Sequence, residues 1–181
     1  MRISSYIFIV LGCFMASTAP PGAKAFQDAQ GAGTPEIISR VTALEMADLL
    51  RGFGWESEII EDNEGDPDRV RIEFNDYSSW LIFKDCFGSA PPRCSTLLFF
   101  ANFDLGRRIL PSDPEIMNKY NDTKVIGRAY FLKKPEQESD QIGIDFRISL
   151  EGGVTREHLI LESRKWEGAI NAFVANFQEG Q

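Results

Sequence analysis

Residues 142–150 alternate without a break. Ile142, Ile144, Phe146, Ile148 and Leu150 fall on one side, and Gly143, Asp145, Arg147 and Ser149 fall on the other. A period of two predicts a strand with one buried and one solvated face. Arg69–Asn75 repeats the pattern, with Val70, Ile72 and Phe74 opposite Arg69, Arg71, Glu73 and Asn75. Further strands are predicted over Glu56–Glu61, Ser78–Lys84 and Val125–Leu132, the last forming a hairpin with 142–150 around a polar loop that contains Pro135. Ser95–Phe103 differs from these. It carries Leu97, Phe99, Ala101 and Phe103 on one face and Leu98 and Phe100 on the other. A strand apolar on both faces is either central and covered on both sides or lines a groove.

Between the strands the period changes to that of a helix. Thr42 followed three residues later by Glu45 is a capping box, and Val41 is placed to staple against Met46. Ala43, Met46, Ala47, Leu50 and Phe53 share one helical face, and Gly54 is the expected stop. Ser112-Asp113-Pro114 opens a short helix through about Asn121, with proline where its missing N–H costs nothing. After a Gly152-Gly153 turn, Thr155 caps a helix of about 23 residues whose apolar stripe is Leu159, Trp166, Ile170, Phe173 and Phe177. The order predicts an α+β fold: an antiparallel sheet of five to six strands with N-terminal, middle and long C-terminal helices packed on it.

The first 25 residues have another character. A short basic start at Arg2 precedes the apolar run Tyr6–Met15, which is too short to span a bilayer and suits a signal peptide. Ala23-Lys24-Ala25 supplies the small-x-small pattern of a cleavage site, placing the cut between Ala25 and Phe26. Lipid attachment through Cys13, preceded by Gly12, is the alternative, as are a retained anchor and full secretion. Residues 26–41 are expected to be a flexible leader, with Phe26–Pro35 rich in Gln, Gly and Ala, and residues 42–177 a single domain. The expected location is periplasmic, with no stable membrane anchor after cleavage.

Composition narrows the function. The 181-residue chain has 19 basic and 27 acidic residues, and removing 1–25 takes away Arg2 and Lys24 but no acid, leaving a net charge of −10. That excess argues against a nucleic-acid partner, which needs clustered cations. A single His excludes most multi-histidine metal sites. Export also removes Cys13 and leaves Cys86 and Cys94, an even pair in an oxidising compartment separated by a short loop. A structural disulfide is expected there, with free thiols or a redox pair as alternatives; the spacing is not Cys-x-x-Cys.

Several segments together resemble the secreted members of the YbjN domain family. They are Cys86 and Cys94-Ser95-Thr96-Leu97 before an aromatic strand, Met117-Asn118-Lys119-Tyr120-Asn121, Ile126-Gly127-Arg128-Ala129-Tyr130, Leu150-Glu151-Gly152-Gly153-Val154-Thr155, and Trp166 in the terminal helix. The resemblance covers roughly residues 42–177. It implies a fold like that of type III secretion chaperones, a regulatory role in sensory transduction, a tendency to dimerise, and no catalytic residues to transfer. Phe131-Leu132 departs from the family pattern, which often has an acid after the aromatic of the Gly-Arg-Ala-Tyr segment.

Candidate chemistry is sparse. Asp62, Glu64, Asp66 and Asp68 fall at every second position of an acidic turn, with Glu73 at the twelfth. Pro67, however, occupies the place where a calcium loop needs Gly. His158 lacks a nucleophile elbow near it and is expected on the surface. Asp145 and Arg147 are expected to pair across the outer sheet face. No catalytic residue, metal or cofactor is expected. The aromatic surplus of Trp80, Phe99, Phe100, Phe103, Tyr130 and Phe131 suggests an apolar platform, for which Trp80, Phe100 and Tyr130 are the candidate partner-binding residues. The alternative is that these aromatics are core, with the first helix or a second copy covering that face. The expected function is a non-enzymatic protein- or peptide-binding domain, chaperone-like or regulatory. A small-ligand carrier and a carboxylate-based hydrolase are the competing expectations.

Overall fold

A computed structural model describes residues 35–61, 69–123 and 126–179. The expected signal peptide with Cys13 and Ala25, the leader from Phe26 to residue 34, and the acidic turn 62–68 lie outside these residues, as does Val125. The first helix, α1 (Ala43–Arg51), starts where its capping box sets it. The Glu45 N–H donates to Thr42 Oγ1 at 3.2 Å and the Thr42 N–H donates to the Glu45 carboxylate at 2.8 Å. It closes at Gly52 rather than Gly54. Gly54 instead takes φ 86°, turning the chain toward the first long sheet.

Two short strands, β1 (Ile37–Ile38) and β8 (Val154–Thr155), pair with each other. The main sheet is antiparallel and contains β2 (Glu56–Ile60), β3 (Arg69–Phe74), β4 (Tyr77–Phe87), β5 (Arg93–Asp104), β6 (Arg128–Leu132) and β7 (Gln141–Ser149), in the order β2-β3-β4-β5-β7-β6. Helix α2 (Asp113–Thr123) joins β5 to β6, and α3 (Arg156–Glu179) follows β8, its first turn capped by a His158 N–H bond to Thr155 Oγ1 at 3.1 Å. The α+β architecture agrees with the order of elements in the sequence. The leader, however, is ordered from its last residues: β1 pairs with β8, and Val41 exchanges two backbone hydrogen bonds with Cys94, at 3.0 and 2.8 Å. Gly153 permits this contact, because a Cβ there would lie 2.4 Å from Ile37 Cγ2.

The alternating patterns explain the core. Val70, Ile72 and Phe74 of β3, Leu97 and Phe99 of β5, and Ile142, Ile144 and Ile148 of β7 are all buried. They meet Met46 and Leu50 of α1, Met117 and Tyr120 of α2, and the whole predicted stripe of α3. Each large side chain so buried contributes roughly 1.5–3 kcal/mol by removal from water. Trp166, fully buried, donates its indole N–H to Ser79 Oγ at 3.1 Å and packs 5.7 Å from the Phe99 ring. Cys86 and Cys94 are direct partners across β4 and β5 and are joined in a disulfide.

Candidate partner-binding face

The helices contribute to one side of the main sheet, and the residues that alternate with the core residues form the other. On β4 these are Trp80 and Ile82; on β5 they are Leu98 and Phe100. Trp80 lies directly opposite Phe100, and Ile82 opposite Leu98, making a block of four apolar side chains at the centre of the sheet. All four are half-buried, as is Tyr130 on the neighbouring part of the face. Strand β5 therefore has a fully packed face and an open apolar one, which explains its apolar pattern on both sides. The first helix packs on the same side as the long helix, where Arg164 of α3 stacks over Phe53 just past α1 at 4.8 Å.

The aromatic group singled out in the sequence divides between the faces. Trp80, Phe100 and Tyr130 belong to the open one. Phe99 is fully buried on the helix side, Phe103 packs 5.6 Å from Phe173, and Phe131 packs against the core. Tyr130 is held by a gap in the next strand. It pairs with Gly143, where a Cβ would lie 2.4 Å from Tyr130 Cζ and 2.5 Å from Asn102 Oδ1, so the ring lies across the glycine. The Tyr130 hydroxyl donates to Asn102 Oδ1 at 2.9 Å. Burial pushes its phenol up to about 12.

Charged residues flank the apolar block and largely satisfy one another. Arg71, opposite Trp80, pairs with Glu58 at 2.8 Å and Glu73 at 3.4 Å. Asp145, opposite Phe100, pairs with Arg128 at 2.5 Å; Arg147, opposite Leu98, reaches Asp85 at 3.8 Å and Thr96 Oγ1 at 3.3 Å. The Arg69 guanidinium stands 5.7 Å from the Trp80 ring. Asp145 thus pairs with the neighbouring strand β6, and Arg147 reaches across β5 to Asp85 on β4. The surface is an apolar strip between mutually neutralised charges, not a cationic patch.

The edges of the sheet are blocked at one position each. Arg51 Nε donates to Ser57 O on β2 at 3.4 Å. On β6 the Asn121 amide takes both outward groups of Ala129, accepting from its N–H at 2.8 Å and donating to its C=O at 3.1 Å.

Two buried carboxylates escaped notice in the sequence. Asp113 holds Arg107 through two bonds, at 2.7 and 3.1 Å, and accepts the Leu110 N–H at 2.7 Å. The Arg107 guanidinium, aided by Leu110 and against the effect of burial, keeps its carboxyl below the usual carboxylate range. Asp140 accepts the N–H groups of Ile109 and Lys134, at 3.0 and 2.9 Å, which together with Arg108 lower its carboxyl likewise. Both carboxylates are ionised and fully engaged in tying loops together, which suits a structural role rather than proton transfer. His158 is exposed, its Nε2 4.0 Å from Glu162. Among the described residues no group of three or more His, Cys, Asp or Glu is placed to hold a metal ion.

These features define an α+β domain whose antiparallel sheet carries its core on one face and an aromatic strip on the other. The family model YbjN, described as "Putative bacterial sensory transduction regulator", matches residues 42–179, and the chain belongs to that family. Its fold is also that of the crystal structure of YbjN from E. coli, described as "a putative transcription regulator". The two align with a TM-score of 0.55 at 16% sequence identity, over 80% of this chain and 97% of that one. A comparison with curated proteins found no match.

Proposed function

We infer that this protein is an exported, non-enzymatic regulatory domain that binds a protein partner through the open face of its sheet. The observation that carries the reading is the block of Trp80, Ile82, Leu98 and Phe100, set side by side and left half-exposed in the middle of a sheet. Apolar surface of this kind gains most when covered by another apolar surface. The neutralised charges on both flanks favour a protein surface over a polyanion. The regulator description of the family agrees with a binding role. Export is supported by the signal-like segment ending at Ala25 and by the joined Cys86–Cys94 pair, which belongs in an oxidising compartment.

The test places a photocrosslinking amino acid at Phe100 and, in a control, at Leu161, an exposed position on α3. Both proteins are irradiated in the native envelope. A discrete protein adduct from position 100 that is lost in a Trp80→Ser variant supports the reading. Equal adducts from both positions, or none, overturn it. An adduct containing only this chain identifies the partner as a second copy. The intact mass of the same material checks cleavage before Phe26.

A further inference from the structure

A separate apolar surface lies away from the open face, where the β5–α2 loop meets the β6–β7 hairpin. An open groove of about 740 Å³ runs between them, floored by Ile109, Leu110, Pro114, Phe131 and Pro135. Leu110 is 49% exposed although its backbone is pinned by Asp113, so an apolar side chain is presented to solvent from a fixed position. The walls are fixed as well. Asp140 bridges Ile109 on one wall to Lys134 on the other, and Arg108 donates to Lys134 O at 2.9 Å. Prolines add further restriction. A groove built in this way loses little freedom on binding.

Its charge is unbalanced in one direction. Asp140, the carboxylate that lines the groove, is consumed by Arg108 and two backbone N–H groups. Lys133 also lines the groove and is exposed, with no partner among the described residues. Beside it runs the outer edge of β6. Asn121 occupies the outward groups of Ala129, and by the alternation of an antiparallel edge the next outward pair belongs to Phe131. A free backbone pair, an apolar floor and one unpaired cation together match an extended chain.

We propose that this groove binds an extended apolar peptide segment carrying a carboxylate opposite Lys133, with main-chain pairing at Phe131. The surface is separate from the aromatic strip, so the two fail or stand independently. The test titrates the purified, disulfide-intact protein with the capped heptapeptide Gly-Glu-Val-Leu-Val-Glu-Gly and with its counterpart bearing Lys in place of Glu, followed by amide NMR. The acidic peptide is expected to shift Leu110, Phe131 and Lys133 and to bind several-fold more tightly than the basic one. Leu110→Asp should abolish binding while leaving the fold intact, since that side chain is exposed. Lys133→Ala should weaken it about two- to fivefold, the scale of one exposed ion pair. A Trp80→Ser, Phe100→Ser double variant should bind as the parent does. Equal binding of both peptides, indifference to Leu110→Asp, shifts confined to Trp80 and Phe100, or no binding at millimolar peptide would each overturn the proposal.

Discussion

Phe99 and Phe100 are adjacent in one strand and point to opposite faces, so truncating each measures what lies over that face. Phe99 is fully buried, with Trp166 and Phe146 ring centroids at 5.7 and 6.4 Å. Phe99→Ala removes its burial and leaves a cavity among side chains that cannot all collapse, a loss of about 4 kcal/mol. Phe100 is half-buried against Trp80 and its flanking charges. Phe100→Ala loses part of a transfer term and opens only toward solvent, a loss of roughly 1 kcal/mol. For a domain of this size these amount to falls in Tm of about 12 °C and about 3 °C. Urea and thermal unfolding, followed by tryptophan fluorescence and far-UV circular dichroism, read both. Near-equal losses would refute the one-sided sheet. A Phe100→Ala loss that grows with protein concentration would show that self-association had made that face a core.

Other expectations follow from local geometry. Gly143→Ala should displace the Tyr130 ring, because the added Cβ falls 2.4 Å from Cζ; restored solvation should bring the phenol down from about 12, visible in an ultraviolet pH titration. Asp113→Asn should cost about 2 kcal/mol at neutral pH through loss of charge on its bonds to Arg107 and Leu110. Because the folded carboxyl lies below its ordinary value, its contribution is complete above that value and is lost as pH falls through the lowered one. The parent and the variant should therefore converge in stability in acid; a constant difference would contradict the assignment. A Cys86→Ser, Cys94→Ser double variant should fold but lose roughly 2.5 kcal/mol by the chain-entropy model for so short a loop. Amide hydrogen exchange in this variant should rise most at Val41 and at position 94, whose backbones bond to each other; an unchanged rate there would contradict a role for the link in holding that corner.

Much of this fold was legible because its signals are local. The Thr42–Glu45 capping box, the alternation of β3 and β7, and the stripe of α3 each need only residues close in sequence. The ambiguity of β5 was equally legible; which of its faces remains open depends on where three helices pack. Pairing across long separations was not visible. Nothing in Ile37–Ile38 announces Val154–Thr155 as a partner, and the structured part of the chain accordingly starts earlier than periodicity implied. Asp113 passed as the opening of a helix, and Asp140 as one polar residue of a loop. Their meaning comes from Arg107, Leu110, Ile109 and Lys134, brought together only by the fold. Gly143 likewise looked like an ordinary outward position until Tyr130 was found lying on it.

A sheet that leaves an apolar strip bare risks recruiting strands from other copies along its margins and growing into fibres. Here Arg51 and Asn121 each put a side chain where an incoming backbone would bond, at Ser57 and at Ala129. An invading strand therefore meets an interruption on either margin before it can zip along the full length. Sticky surface and templating edge are thereby uncoupled. The bare hydrophobic strip and the interrupted margins are thus separate features of one sheet, so a contact made through side chains on its face need not extend its backbone ladder.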